Sequence, residues 1–158
     1  MKRLALLGVT VLAVGLTTWT VVADGQEIAL QVDATKSAPR CDERTLTGTY
    51  GVTLSGLRPG AAGALEQFVG LSMQTYDGHG NFTQTDNTHG PSGARSDQAG
   101  WGTYTVNPDC SGTKTLWLEG LPFPIENRIV ILDKGDEIRI VVMSPPPIIV
   151  TAQGRRVF

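Results

Sequence analysis

From Leu46 onward the sequence is written in period two, and no other feature restricts the fold as much. The stretch LTGTYGVTLS places Leu46, Gly48, Tyr50, Val52 and Leu54 on one side of an extended chain, with Thr47, Thr49, Gly51, Thr53 and Ser55 on the other. Successive side chains of a strand point to opposite faces, so this is strand text, and a helix would need a period of about 3.6. Further runs of the same kind follow: LEQFVGLSMQTYDG, NFTQTDNTH, GWGTYTVN, TKTLWLEG, ENRIVILD, DEIRIVVMS and IIVTAQGRRV. Most are separated by short Gly, Pro, Asn or Asp turns, among them Asp77-Gly78-His79-Gly80, Asn107-Pro108-Asp109 and Lys134-Gly135. The segment HGPSGARSDQAG reads as a polar loop, SPPP as a stiff connector, and GAAGAL as one helical turn at most. Eight sequential runs with short connections predict an all-β fold, an eight-strand antiparallel up-and-down barrel in which closure removes both sheet edges. A β-sandwich is the runner-up, disfavoured because its long crossovers have no counterpart here.

The beginning of the chain has a different character. Lys2 and Arg3 precede an uncharged stretch from Leu4 to Ala23 that ends Val21-Val22-Ala23. This is the pattern of a signal peptide over residues 1–23 cleaved near Ala23, which predicts a secreted or periplasmic protein; uncleaved, the same stretch is just long enough to anchor in a membrane. Residues 24–40 read as an N-terminal arm or linker, with an accessory strand suggested by Ile28, Leu30 and Val32, and residues 41–158 as the barrel domain. Removing the two positive charges of Lys2 and Arg3 takes the formal charge from −2 to −4, which gives no footprint for nucleic acid. The two cysteines, Cys41 and Cys110, are expected to pair in an exported chain. Two free thiols or a metal pair are the alternatives, and no other Cys or His stands at ligand spacing, so no metal and no cofactor are expected.

Both histidines lie in TYDGHGNFTQTDNTHG. His79 sits at the tip of the predicted hairpin and His89 at the far end of the return strand, about 30 Å away at roughly 3.3 Å per residue, too far to share one metal. The strand between them is more informative. Phe82, Gln84, Asp86 and Thr88 share a face, so if Phe82 points inward then Gln84 and Asp86 do too. Buried carboxylates and amides need partners, and a barrel interior that carries them is suited to a ligand. Gln84 and Asp86 are therefore candidate ligand-binding residues, near the end carrying the segment His89 to Ala99. The same end could gather Asp86, His89, Arg95 and Asp97 for acid–base work. The plainer reading is a partly solvated strand with Asp86 at its frayed end, beside ordinary loop content at His89, Arg95 and Asp97. No Gly-x-Ser-x-Gly elbow, His-Glu-x-x-His or phosphate loop is present, and no catalytic residue is assigned. Tyr50, Tyr104, Trp101 and Trp117 are expected to fill the core, and the first three are the candidate apolar wall of a ligand site. Gly48-Thr49-Tyr50 recurs as Gly102-Thr103-Tyr104, either a weak internal echo or common strand vocabulary.

The eight-run layout, Leu46-Thr47-Gly48-Thr49-Tyr50 opening the first strand, and Tyr76-Asp77-Gly78-His79-Gly80-Asn81-Phe82 at a hairpin together resemble the calycin group of barrels. They are similar in particular to the allene oxide cyclase-like barrels and to uncharacterised exported bacterial proteins of that style. Lipocalins open with Gly-x-Trp and close with an Arg packed on that ring; here Gly48-x-Tyr50 takes the first place, and Arg155 or Arg156 could take the second. No catalytic residue of the cyclases carries onto this chain, so the resemblance implies the barrel and not the cyclase activity. The expectation is a secreted binding protein holding a small, mostly apolar molecule inside the barrel. The alternatives are a cofactor-free isomerase or cyclase using the same cavity, and a filled barrel with a structural or interaction role; a homo-oligomer is left open.

Overall fold

The computed structural model describes residues 19–23, 26–30, 40–61 and 63–157. The chain divides into two compact units, residues 1–38 and 39–158. In the first, β1 (Trp19–Ala23) pairs with β2 (Gln26–Leu30) as an antiparallel hairpin. The expected accessory strand is thus β2, whereas most of the expected leader and linker lies outside the described residues.

The second unit is a closed antiparallel barrel of β3 (Thr47–Pro59), β4 (Leu65–Asp77), β5 (Asn81–Gly90), β6 (Gly93–Val106), β7 (Ser111–Leu118), β8 (Ile125–Leu132), β9 (Glu137–Ser144) and β10 (Ile149–Arg156). Each strand pairs with the next in sequence, and β10 closes the ring by pairing with both β9 and β3. The up-and-down barrel expected from the period-two runs is what forms, and the sandwich is excluded. The segment expected to be a polar loop is instead strand. β5 and β6 are joined by a tight turn at Pro91-Ser92, and the irregular register between Asp86 and Thr88 accommodates one extra residue of β6. Both faces of this segment are wet, so alternation of polarity, the signal that marks a strand, is missing from its sequence.

The two ends of the barrel differ. At one end, Leu46, Tyr50, Tyr76, Phe82, Tyr104, Ile129, Ile131 and Ile138 fill the interior. Tyr76 stands at the centre: Tyr50 and Tyr104 meet it edge-on at 5.4 Å and 5.2 Å, and Phe82 stacks on it at 5.5 Å. The two Gly-Thr-Tyr segments therefore deliver their tyrosines to equivalent places beside one ring. Room for Phe82 comes from Gly102 opposite it in register, where a Cβ would lie 2.9 Å from the Phe82 ring and 1.8 Å from the Thr115 carbonyl oxygen. A short 3-10 turn, Glu43–Thr45, crosses this end. It is held by the Tyr104 hydroxyl donating to the carbonyls of Glu43 and Leu46, and by the disulfide Cys41–Cys110. At the closure of the ring, Arg156 lies 5.4 Å over the Tyr50 ring and donates to its hydroxyl and to the Gly135 carbonyl, each at 3.0 Å. Of the two arginines expected to pack there, Arg156 is the one that does.

The structure also settles which face of β4 points inward. Phe68, Ser72, Gln74 and Tyr76 are buried, whereas Val69, Leu71 and Met73 are 60%, 63% and 46% exposed. Trp101 and Trp117, expected in the core, face each other in register on the outer surface instead. Their neighbours Gly100, Gly102, Leu116 and Leu118 hold the inner positions of β6 and β7, and an alternating strand cannot turn both sets inward. Among the described residues no helix is long and apolar enough to cross a membrane.

Candidate functional site

The end of the barrel opposite the disulfide is hollow. A cavity of about 300 Å³ opens between the β3–β4, β7–β8 and β9–β10 connections. Its wall is apolar: Leu54, Phe68, Leu116, Leu118, Ile125, Ile140, Val142 and Ala152 line it, and Leu121, Phe123 and Pro145–Pro147 stand at the mouth. These are inner-face residues of successive strands, placed there by the same alternation that fills the other end. Apart from Phe68, the apolar side chains at this level are aliphatic or small rather than aromatic, so space is left between them. Such a cleft, apolar with a few convergent polar groups, is the usual form of a small-molecule site.

The polar groups converge on one layer, between the tyrosine-packed half and the cavity. Lys114, on the inner face of β7, is buried, 2% exposed. Its Nζ donates to Gln74 Oε1 at 2.8 Å, Tyr76 Oη at 3.2 Å and Gln84 Oε1 at 3.3 Å, and it lies 3.9 Å from the centre of the Phe82 ring. The Tyr76 hydroxyl donates to Gln74 Oε1 at 2.7 Å. Gln84 in turn donates from Nε2 to Asp86 Oδ2 at 2.8 Å. Asn127 ties the layer to the barrel wall by donating to the carbonyls of Lys114 and Ile125. No carboxylate among the described residues comes within ion-pairing distance of Lys114. Loss of water therefore dominates: burial lowers its pKa to about 7, opposed by the charge of Asp86. Burial also raises the pKa of Asp86, against Ser72, the charge of Lys114 and the Gln84 amide. Burial pushes the Tyr76 phenol well above the ordinary tyrosine range.

Two oxygens in this layer have no hydrogen-bond partner among the described residues: Asp86 Oδ1 and the Ser72 hydroxyl. Ser72 stands opposite Asp86 in register and is near enough to favour the carboxylate, yet its geometry does not make a hydrogen bond. A buried carboxylate oxygen left unmatched costs about 1–3 kcal/mol or more, so this one favours any donor that reaches the polar layer, the adjacent Ser72 hydroxyl included. Nearer the mouth, Arg58 packs 4.7 Å over the Phe68 ring, pairs with Glu66 at 3.0 Å and donates to the Thr88 hydroxyl. Arg95, opposite Thr88 in register, also lines the cavity and makes no ion pair among the described residues.

Of the residues singled out in the sequence, Gln84 and Asp86 meet in the cavity. Tyr50 and Tyr104 lie beyond its floor in the packed half, and Trp101 stands outside the barrel, 52% exposed. Asp86 and His89 are not gathered into an acid–base pair, because His89 points out of the barrel while Asp86 points in. Among the described residues no group of three His, Cys, Asp or Glu could hold a metal ion. The residue that sequence reasoning missed is Lys114. Its signal was parity: it shares a face with Leu116 and Leu118, but Trp117 on the opposite face masked which one was buried. The chain matches no known family, and no curated protein or solved structure is detectably similar to it.

Proposed function

We propose that this is an exported calycin-like binding protein that holds a small, mostly apolar molecule in the open half of its barrel. The observation that carries this reading is the juxtaposition of an apolar cavity of about 300 Å³ with an unmatched Asp86 oxygen in its floor. Burial of the apolar body would supply most of the affinity, at about 25 cal/mol per Å² removed from water. Gln84, Asp86 and Lys114 would orient the polar end. Export to a secreted or periplasmic location is part of the proposal and is supported by the disulfide, a bond that persists in oxidising compartments. The calycin-like reading is supported by Arg156 lying across Tyr50 where the ring of strands closes.

A second reading, a cofactor-free isomerase or cyclase, is favoured by one observation: an amine and a carboxyl share the cavity floor, each with its charged form disfavoured by burial. Such a pair is suited to proton transfer on a bound substrate.

The binding reading is tested with the neutral fluorophore N-phenyl-1-naphthylamine. Saturable enhancement at one site per chain is expected, abolished by Ala152→Phe, which fills the cavity, and unchanged by Trp101→Ala on the outside. Enhancement that survives Ala152→Phe and disappears with Trp101→Ala would place the probe on the surface and remove the proposal.

A further inference from the structure

We infer that the ligand carries an aldehyde or ketone, and that Lys114 captures it as an imine at the floor of the cavity. The inference rests on the binding proposal above and goes beyond it by naming the reactive group of the ligand.

The geometry supplies each requirement. Lys114 is an amine that lines an apolar cavity, and no carboxylate among the described residues pairs with it. All three polar atoms around its Nζ are oxygens. The hydrogen of the one hydroxyl among them, that of Tyr76, is directed at Gln74 Oε1, the shorter of its two contacts. When Nζ loses one of the three protons it donates, no hydrogen among the described residues is directed at the lone pair so freed, and Gln74 and Gln84 accept the two hydrogens that remain. A neutral amine in dry surroundings is the form that attacks carbonyls, and lysines so placed are the ones that serve in imine chemistry. Burial makes that form accessible near neutrality.

The step balances without any further reactant. The Nζ lone pair forms a bond to the carbonyl carbon, and the π electrons move to oxygen. One amine hydrogen is transferred to that oxygen, giving a carbinolamine. The carbon–oxygen bond then breaks, and the hydroxyl leaves with the second amine hydrogen as water, so both amine hydrogens and the carbonyl oxygen depart together. Asp86 accepts from Gln84 Nε2 and so fixes the Gln84 Oε1 that faces the amine, and its own carboxyl is the group left to exchange protons with the oxygen of the entering carbonyl. If the imine nitrogen is protonated, its cation occupies the site where the Phe82 ring lies 3.9 Å from Nζ, with the Asp86 charge nearby to offset it. The oxygen of the carbonyl enters beside Asp86, and the alkyl body extends toward Leu116, Ile140 and Val142.

The chain is suited to a direct test, because its only lysines are Lys2, Lys36, Lys114 and Lys134. The protein as exported is incubated with octanal at neutral pH and treated with cyanoborohydride, which fixes an imine as a secondary amine. Intact mass and peptide mapping then locate the octyl group. The expected result is one octyl group per chain, on Lys114, formed about tenfold or more faster than on Lys134. Octan-1-ol should compete for the site without reacting, and Lys114→Met should abolish the fast adduct. The mapping of the wild-type chain needs no variant, so the test stands even if Lys114→Met does not fold. Adducts confined to amines other than Lys114, with N-phenyl-1-naphthylamine still binding in the cavity, would overturn the imine and leave the binding proposal in place. Absence of both the Lys114 adduct and cavity binding of the fluorophore would overturn the two together.

Discussion

At the scale of single residues, Lys114 is a buried amine held without a carboxylate partner among the described residues, and that burial is costly. Its amine has a pKa of about 7 in the folded chain against 10.5 for an ordinary lysine. Below pH 7 the folded and unfolded chains are both protonated, and the whole cost of the buried ammonium is present. As pH rises from about 7 to 10.5 the folded amine is neutral while the unfolded one still binds its proton, so stability increases across that window. Asp86 works in the opposite sense and at lower pH. Its raised pKa means that the folded chain holds a proton the unfolded chain has released, so stability falls as pH climbs through the carboxylate range. We predict that wild type gains stability relative to Lys114→Met between about pH 6 and about pH 10, as read from urea midpoints at several pH values. Parallel pH profiles for the two proteins would show that Lys114 is not the titrating group.

At the scale of elements, the β5–β6 hairpin shows what the sequence made legible and what it hid. The inward set Phe82, Gln84, Asp86 and Thr88 was readable, because one strongly apolar residue fixed the face of a whole alternating strand. The outer half of β6 was not, because Gly93 to Asp97 are exposed and carry no pattern of polarity to read. Lys114 was hidden for a related reason: Leu116 and Trp117 are adjacent, and periodicity alone does not say which of two apolar faces is the inner one. Trp101 and Trp117 were misplaced by the same ambiguity. Arg156 over Tyr50 was legible only as a pair of candidates, since Arg155 and Arg156 point to opposite faces and register decides between them. What holds the irregular part of the hairpin is local. Asp97 has a positive φ of 53°, and its N–H donates to Asn87 Oδ1 at 3.1 Å. We predict that Asn87→Ala costs about 1 kcal/mol and increases amide exchange over Arg95 to Gln98 without altering the closed end. Unchanged exchange there would mean that strand pairing alone holds the irregular register.

At the scale of the whole barrel, the division of labour is between a sealed end that supplies stability and an open end that supplies a site. The disulfide belongs to the first. It closes a loop of 69 residues and fastens the Glu43–Thr45 turn across the tyrosine-packed end. Replacing both Cys41 and Cys110 by Ser should cost about 4 kcal/mol in the chain-entropy account, with the affinity of the cavity for N-phenyl-1-naphthylamine unchanged at temperatures where the variant is folded. Loss of binding in the folded variant would show that the two ends are coupled. The proposed function turns on a ligand entering the barrel and not settling on its exposed apolar outer face. The most direct measurement is of intermolecular nuclear Overhauser effects between octan-1-ol and the methyl groups of the protein. Contacts are expected to Leu54, Leu116, Ile140 and Val142, all in the cavity wall, and none to Val69, Leu71 or Met73 on the outside of β4. Contacts to the outer methyls with none to the inner set would contradict entry into the barrel.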